Sequence, residues 1–242
     1  MLTTEVVVIG GSHAGLGIAK TIINTVPSAK VTVISTSKDY YFNIAAPRIL
    51  ACPDKVGLDE VLFPIERLFR KHPESQFEFI HASVTKLDIK LKTITTDSRM
   101  VISYHYLVIA SGSMSCALHS CTKPYSICIN EFLGHTLSPT SPWDSTLVPF
   151  KHPFQDTIRT SIPRAQNDIA SALRIVIAGG GPLGIELASE IAEQYPDKTI
   201  TMVFASFRFL EDLKQAASIE AGKKLNKMGI VVRSGVKVSK TS

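Results

Sequence analysis

The sequence predicts an α/β protein that contains two related three-layer units. Near the start of the chain, a valine-rich run leads into a glycine-rich turn and then into residues with helical spacing. The same pattern returns at a constant offset of 169 residues, so that Gly10 aligns with Gly179. Between the two copies, residues 76–109 alternate as short strand-like segments, which predicts a β-meander inserted in the first unit.

The first unit begins with residues 5–9, whose dense valines predict a buried parallel strand. Residues 14–25 predict a helix, and residues 31–34 predict the next strand. The turn before the helix reads GGSHAG over residues 10–15. A strand, a glycine turn, a helix and a second strand form the context that a Rossmann-like dinucleotide fingerprint requires.

Each position of this turn has a physical task. Gly10 permits the tight bend, Ser12 stands where a pyrophosphate approaches the backbone, and Gly15 lets the helix pack closely on the strand. The helix N-terminus offers free N–H groups and the positive end of the helix dipole to the phosphates. Ser12 replaces the usual glycine, and its hydroxyl can donate to a phosphate. Ser35 ends the second strand, where an acidic residue that binds the ribose is usual.

The second copy, residues 174–206, has all three fingerprint glycines, namely Gly179, Gly181 and Gly184. Phe204 takes the acidic position, where it cannot hydrogen-bond a ribose but can stack on an adenine. Arg208 is a candidate ligand for a 2′-phosphate, with an ordinary surface arginine as the alternative. Two fingerprints in one chain predict two dinucleotide sites.

These patterns also predict the domain boundaries. The three segments are a first unit with its meander at 1–112, an inserted or irregular linker at 113–172 and a partial second unit at 173–242. Part of the linker is predicted to be helical, with Pro163 at the helix start.

The chain resembles the N-terminal part of flavoproteins with two dinucleotide-binding domains, in particular AMID-like fungal oxidoreductases similar to apoptosis-inducing factor. The segments that match are the fingerprint at 10–15, YYFNIAAPR at 40–48, YLVIASGS at 106–113 and GGGPLGIELASEIAEQYP at 179–196. The fingerprints occur throughout a broad superfamily, whereas YFNIAAPR is more particular. The resemblance implies FAD in the first unit and NAD(P)H in the second.

The resemblance implies roles for individual residues as well. Pro47 and Arg48 would lie near the isoalloxazine, Val84 would offer its backbone to adenine, and Glu186 would point toward the nicotinamide. Glu186 has the alternative of a helix-start glutamate favoured by the dipole, and His13 that of a solvated loop histidine. The full set of expected cofactor-binding positions is Gly10, Gly11, Ser12, His13, Ala14, Gly15, Ser35, Pro47, Arg48, Val84, Ala110, Ser111, Gly112, Gly179, Gly181, Gly184, Phe204 and Arg208.

The expected function is that of an FAD-dependent NAD(P)H oxidoreductase that passes electrons to a quinone or another small acceptor. The alternatives are a non-catalytic nucleotide-binding remnant, a module that senses NAD(P)H without turnover, and an interaction protein that keeps the fold without ligand. Disulfide reductase chemistry is disfavoured because Cys52 has no neighbouring cysteine in the first unit.

Two departures from the resemblance lead to further expectations. The sequence ends soon after the second fingerprint, so the C-terminal portion that related flavoproteins carry is expected to be missing. Residues 116–137 hold three of the four cysteines and show no clear period, so we interpret them as an insertion. A folded functional loop is the alternative for this segment.

Composition excludes several classes of function. The net charge of +5 is spread along the chain without a dense basic run, so no nucleic-acid partner is expected. No apolar run is long enough for a transmembrane helix, and the spacing of the four cysteines fits no common metal site. A cytoplasmic location is expected, with peripheral membrane contact and mitochondrial association left open.

Overall fold

The computed structural model describes residues 3–112, the backbone of Cys128–Asn130 and residues 158–236. The helices and strands in chain order are β1 (Thr4–Ile9), α1 (His13–Thr25), β2 (Ala29–Ser35), β3 (Asp39–Tyr41), α2 (Ala46–Ala51), β4 (Leu62–Pro64), α3 (Ile65–Leu68), β5 (Phe77–His81), β6 (Val84–Asp88), β7 (Thr93–Thr96), β8 (Val101–Ser103), β9 (Tyr106–Ile109), β10 (Cys128–Asn130), α4 (Ile158–Ser171), β11 (Arg174–Ala178), α5 (Pro182–Gln194), β12 (Thr199–Phe204), α6 (Gln215–Lys227) and β13 (Val231–Ser234). Contacts divide the chain into two units, the first made of residues 1–42 and 59–113 and the second of residues 43–58 and 114–242.

The first unit is built around a parallel sheet in the order β5-β2-β1-β9. Successive side chains of β1 point to opposite faces, as the period of a strand requires. Val6 and Val8 pack in a core with Leu16 of α1, whereas Val7 packs in a second core with Ile94 of the meander. The sheet therefore lies between a helical layer and the antiparallel sheet β6-β7-β8, which confirms the predicted three-layer unit with an inserted meander.

The second unit contains a parallel sheet in the order β10-β11-β12-β13. Helix α5 packs on β11 and β12 through an apolar stripe that includes Leu187, Ala188 and Ile191. Helix α6 packs on β13 and α5. These contacts confirm the strand, turn, helix and strand order predicted from the second glycine repeat.

Helix α2 packs on α4 and α5 within the second unit, and every residue of α2 except Arg48 is buried. The Gln166 side chain donates a hydrogen bond to the Ile49 carbonyl at 2.6 Å. Residues 43–58 thus belong to the second unit by contact, although they precede most of the first unit's strands in the sequence.

The prediction for Pro163 was wrong, because this proline lies inside α4 rather than at a helix start. A proline inside a helix removes one backbone hydrogen bond. The helix continues through it because Ile158, Ile162, Ala165 and Ile169 form one buried stripe at spacings of four, three and four residues. Of the segment 116–137, the part that the structure describes is the backbone strand β10, so the predicted insertion otherwise lies outside the described residues.

Candidate dinucleotide-binding sites

The first candidate site lies at the carboxyl edge of β1, where the chain turns into α1. Gly10 has a φ angle of +115°, a conformation that side-chain-bearing residues rarely adopt. The Gly10 N–H donates to the Ile34 carbonyl at 2.8 Å, which ties the turn to the end of β2. Ser12 then takes the N-cap position of α1, and its hydroxyl makes no capping hydrogen bond. The turn leaves the first N–H groups of α1 without helical partners, as any helix start does.

The second candidate site repeats this geometry bond for bond. Gly179 has a φ angle of +130°, and its N–H donates to the Val203 carbonyl at 2.8 Å. Gly181 is the N-cap residue of α5, as Ser12 is of α1. Even the helix ends correspond, because the C-cap N–H groups of Val26 and Tyr195 each donate at 2.8 Å to the carbonyl four residues earlier. The offset of 169 residues therefore holds for backbone hydrogen bonds as well as for the sequence.

Close backbone approaches require the remaining fingerprint glycines. A Cβ atom on Gly15 would overlap the Gly10 carbonyl oxygen, and one on Gly184 would lie 2.6 Å from the Gly179 carbonyl oxygen. A Cβ atom on Gly10 would overlap the carbonyl of Ala110. Each turn thus has a surface of bare backbone beside a helix N-terminus, the arrangement that accepts a diphosphate.

The second glycine of each turn faces the position where an acidic residue is usual. A Cβ atom on Gly11 would lie 2.8 Å from the Ser35 hydroxyl oxygen, and one on Gly180 would lie 2.9 Å from the Phe204 ring. Ser35 also accepts a hydrogen bond from the Ser37 N–H at 3.3 Å. Both units therefore bring the end of the second strand against the glycine turn.

The other predicted residues of the first unit lie at the same edge of its sheet. The Ala110 N–H donates to the Ile9 carbonyl at 2.8 Å, which brings the turn of residues 110–112 beside Gly10. Gly112 has a φ angle of +69°. Val84 begins β6 just after the segment in which the Ala82 N–H donates to the Ser35 carbonyl at 3.0 Å. The carboxyl ends of β2, β1 and β9 meet at this edge, and doubly wound sheets bind their ligands at such an edge.

His13 takes part in an aromatic cluster that the sequence did not predict. Its ring nitrogens lie 3.0 and 3.1 Å from the Tyr40 hydroxyl, and its ring meets those of Tyr40 and Phe42 edge-on. Burial raises the pKa of the Tyr40 hydroxyl above its usual range. His13 and the neighbouring Ala14 are both exposed in the first turn of α1, so the cluster borders the bare-backbone surface.

Phe204 and Arg208 support a loop that folds back onto the second glycine turn. The Phe204 ring is buried and its centroid lies 4.6 Å from that of Phe209. The Leu210 N–H donates to the Gly180 carbonyl at 3.0 Å. The Arg208 guanidinium donates to the carbonyls of Leu210 at 3.3 Å and Leu213 at 2.9 Å, and also to that of Glu211. A 2′-phosphate at Arg208 would therefore compete with three backbone acceptors.

The structure places Pro47 and Arg48 on α2, against the helix of the second glycine turn. Arg48 forms an ion pair with Glu190 of α5 at 2.6 Å, and the Cys52 thiol donates to the other oxygen of the same carboxylate at 3.7 Å. Burial, together with the Glu190 charge, raises the pKa of the Cys52 thiol. Glu186 lies one turn earlier on α5 and is exposed. No sequence pattern indicated the Arg48–Glu190 pair, whose members are 142 residues apart.

Across residues 3–112 and 158–236, no group of histidine, cysteine or acidic side chains is arranged to hold a metal ion. Within the same part of the chain, no helix combines the length and the apolar character that crossing a bilayer requires.

The fold and the paired turns define a protein with two dinucleotide-binding units of the Rossmann type. A family model described as pyridine nucleotide-disulphide oxidoreductase matches residues 4–242, so the chain belongs to this family. Curated relatives include oxidoreductase ptaL of Pestalotiopsis fici, which is 29% identical over 243 residues covering 96% of this chain and 57% of the relative. Oxidoreductase phnG of Penicillium herquei is 29% identical over 252 residues, covering 94% of this chain and 54% of the relative.

The resemblance to AMID-like proteins is confirmed by another relative, apoptosis-inducing factor homolog B of Dictyostelium discoideum, which is 25% identical over 203 residues covering 82% of this chain and 41% of the relative. The chain spans a little over half the length of the first two relatives. Among solved structures, a water-forming NADH oxidase from Lactobacillus brevis bound to NADH aligns with a TM-score of 0.72 at 18% identity, over 98% of this chain and 48% of the oxidase. The sulfide:quinone oxidoreductase from Aquifex aeolicus aligns with a TM-score of 0.72 at 20% identity, over 99% and 53% of the two chains. These alignments confirm the fold.

Proposed function

We propose that this chain is the nucleotide-binding part of an FAD-dependent NAD(P)H oxidoreductase that passes electrons to a quinone or another small acceptor. One observation carries the proposal, namely that two turns 169 residues apart share the same backbone hydrogen bonds and the same positive-φ glycine. A fold that needs only one nucleotide has no use for two such turns. An enzyme that moves a hydride between two dinucleotides needs both.

The first turn fits the diphosphate of FAD. Gly10 and Gly15 leave no room for a Cβ atom, so bare backbone is exposed to the ligand. No acidic residue lies in the first turn of α1, so no carboxylate competes with the phosphates for the helix N-terminus. The Ser12 hydroxyl makes no capping bond and is available to donate to a phosphate oxygen. The proposed adenosine contacts are the Ser35 hydroxyl and the Val84 backbone.

The second turn fits the diphosphate of NAD(P)H for the same reasons, and Gly181 takes the N-cap position of α5 without a side chain. The first turn of α5 also lacks acidic residues. Because the Arg208 guanidinium already donates to three carbonyls, we assign NADH rather than NADPH to this site. Glu186, exposed and two residues beyond Gly184, is assigned to the nicotinamide end.

When bound, FAD supplies the capacity to accept a hydride from NADH and to pass electrons onward. The residues of this chain bind and orient rather than react: Gly10, Ser12 and Gly15 hold one diphosphate, and Gly181 and Gly184 hold the other. A quinone acceptor is supported by the relative named sulfide-quinone reductase of Aquifex aeolicus, 33% identical over 111 residues that cover 46% of this chain and 25% of the relative.

The test is the flavin content of the purified chain and its response to NADH. We expect a yellow protein whose flavin absorbance is bleached by anaerobic NADH. Ser12→Asp places a carboxylate against the diphosphate and should abolish flavin retention, whereas Ser12→Gly should preserve it. Gly17→Ala serves as the control, because a Cβ atom at Gly17 meets nothing within 4 Å.

Three other results would count against the full proposal. A colourless protein that binds NADH, with an affinity that falls when Gly181 is substituted, would indicate a nucleotide-binding module. A colourless protein that binds no nucleotide would overturn both assignments. Flavin retention unchanged by Ser12→Asp would mean that the first turn is not the flavin site.

A further inference from the structure

The hairpin that joins β6 to β7 carries two exposed aliphatic side chains at its tip. Residues 89–92 read IKLK, and we call them the meander tip. The side chains of Ile89 and Leu91 are 75% and 73% exposed. Turn positions ordinarily hold glycine, proline, asparagine, aspartate or serine. Two large aliphatic residues in four turn positions therefore require an explanation.

The aliphatic residues of the tip belong to no core. Within the meander, Ile94 is fully buried and packs with Ile102 against Val7 of the main sheet. Ile89 and Leu91 lie beyond the ends of β6 and β7, outside the part of the sheet that this core covers. Their exposure is a property of the surface rather than a gap in the packing.

The tip is held in one shape by local hydrogen bonds. The Leu91 N–H donates to a carboxylate oxygen of Asp88 at 2.9 Å, and the Tyr104 N–H donates to the Lys92 carbonyl at 3.0 Å. Lys92 adopts a φ angle of +50°, which turns the chain back into β7. A preformed tip presents its side chains without the entropy loss that ordering a flexible loop would cost.

Lysines precede, separate and follow the two aliphatic residues in the sequence. Residues 84–92 contain three lysines, Lys86, Lys90 and Lys92, all exposed, and a single acidic residue, Asp88. The Asp88 carboxylate is half-buried and already accepts the Leu91 N–H. Lysines extend their ammonium groups toward phosphates while their methylene stems cover apolar surface. Exposed aliphatic residues with lysines on either side in the sequence match the surface of an anionic bilayer, where acyl chains lie beneath negative headgroups.

We propose that the meander tip is a membrane contact, in which Ile89 and Leu91 enter the interface of an anionic phospholipid bilayer and the ammonium groups of Lys86 and Lys90 bind lipid phosphates. The Lys92 ammonium donates to the His105 carbonyl at 3.5 Å and adds positive charge beside them. Contact at this site needs neither FAD nor NADH, so the proposed redox activity and membrane binding can fail independently. Because the lysines are positively charged, we expect the tip to bind anionic phospholipid rather than a neutral surface.

The experiment is co-sedimentation of the purified chain with vesicles of phosphatidylcholine alone and with vesicles that also contain phosphatidylserine. We expect binding to the anionic vesicles, falling as salt rises because the lysine contribution is screened. Ile89→Ser/Leu91→Ser should lower the partition coefficient at least about tenfold, and Lys90→Gln about fivefold. Leu173→Ser/Ile219→Ser removes two exposed aliphatic side chains elsewhere and should leave binding unchanged. Because all of these side chains are exposed, circular dichroism should show that each variant is folded.

Several outcomes would overturn the proposal. The unaltered chain could fail to bind anionic vesicles, or it could bind both kinds of vesicle equally. The Leu173/Ile219 variant could also lose as much vesicle binding as the Ile89/Leu91 variant. Self-association that disappears in the Ile89/Leu91 variant, without vesicle binding, would show instead that the tip contacts a second copy of the chain.

Discussion

Two glycines in helices of the same kind should respond in opposite ways to the same substitution. Gly17 lies on the exposed side of α1, where a Cβ atom would meet nothing within 4 Å. Gly184 lies in the first turn of α5, where a Cβ atom would stand 2.6 Å from the Gly179 carbonyl oxygen and 3.6 Å from a methyl carbon of Ile177. We predict that Gly17→Ala stabilises the protein and that Gly184→Ala does not.

The magnitudes follow from helix propensity and packing. Alanine is favoured over glycine inside a helix by about 1 kcal/mol, so Gly17→Ala should raise the free energy of unfolding by about that amount. Gly184→Ala has at most the same gain, but an ordinary contact begins near 3.4 Å, so the strand or helix must shift. Overpacking of this kind costs about 1–3 kcal/mol. The two variants should therefore differ by about 1–3 kcal/mol, with Gly184→Ala the less stable.

Urea denaturation followed by circular dichroism measures this difference, and NADH titration of the same samples adds a functional readout. Gly184→Ala should weaken NADH binding because the α5 N-terminus moves away from the Gly179 bend, whereas Gly17→Ala should not. Equal stabilisation of both variants would refute the view that Gly184 is required by close backbone packing. If Gly184→Ala lowers stability but leaves NADH affinity unchanged, Gly184 is needed for packing and not for binding.

Three further results are expected. Burial raises the pKa of the Tyr41 hydroxyl well above its usual range, so the folded state keeps a proton that the unfolded chain loses above about pH 10, and urea midpoints should fall there more steeply for the unaltered chain than for Tyr41→Phe. Lys198→Met should lower the free energy of unfolding by about 1–2 kcal/mol, measured by urea denaturation, because its ammonium donates at 2.7 Å to two carbonyls at the end of α4, and Lys198→Arg should retain most of this stability. Arg208→Ala should weaken the binding of NADH and of NADPH by similar factors in parallel titrations, because Arg208 supports the loop of residues 208–213. A loss of affinity for NADPH alone would instead assign Arg208 to the 2′-phosphate.

The parts of the fold that depend on neighbouring residues were readable from the sequence. The bend at Gly10, the helix after it and the meander each depend on local spacing, and the structure confirms them. The second copy strengthened the prediction of the glycine bend, because Gly179 aligns with Gly10 at a constant offset. The roles assigned to these residues remain predictions, since binding is decided by a ligand and not by the backbone alone.

Contacts between distant segments were not readable. Arg48 stands in a segment that suggested a flavin contact, yet its guanidinium pairs with Glu190, 142 residues later. Nothing in the local sequence of α2 indicates that α4 and α5 cover it. Pro163 shows the same limit, because a buried stripe that becomes apparent only once the helix is packed outweighs the local preference of proline.

The glycine that opposes the end of each second strand has a consequence for how nucleotide preference can change. Because Gly11 and Gly180 lack side chains, the facing position can hold a residue as small as Ser35 or as large as Phe204. In the proposed sites, a mutation at that strand end would therefore alter adenosine recognition while the glycine bend is left as it was. Under that proposal, the two repeated units could differ in cofactor choice through a single substitution at this position.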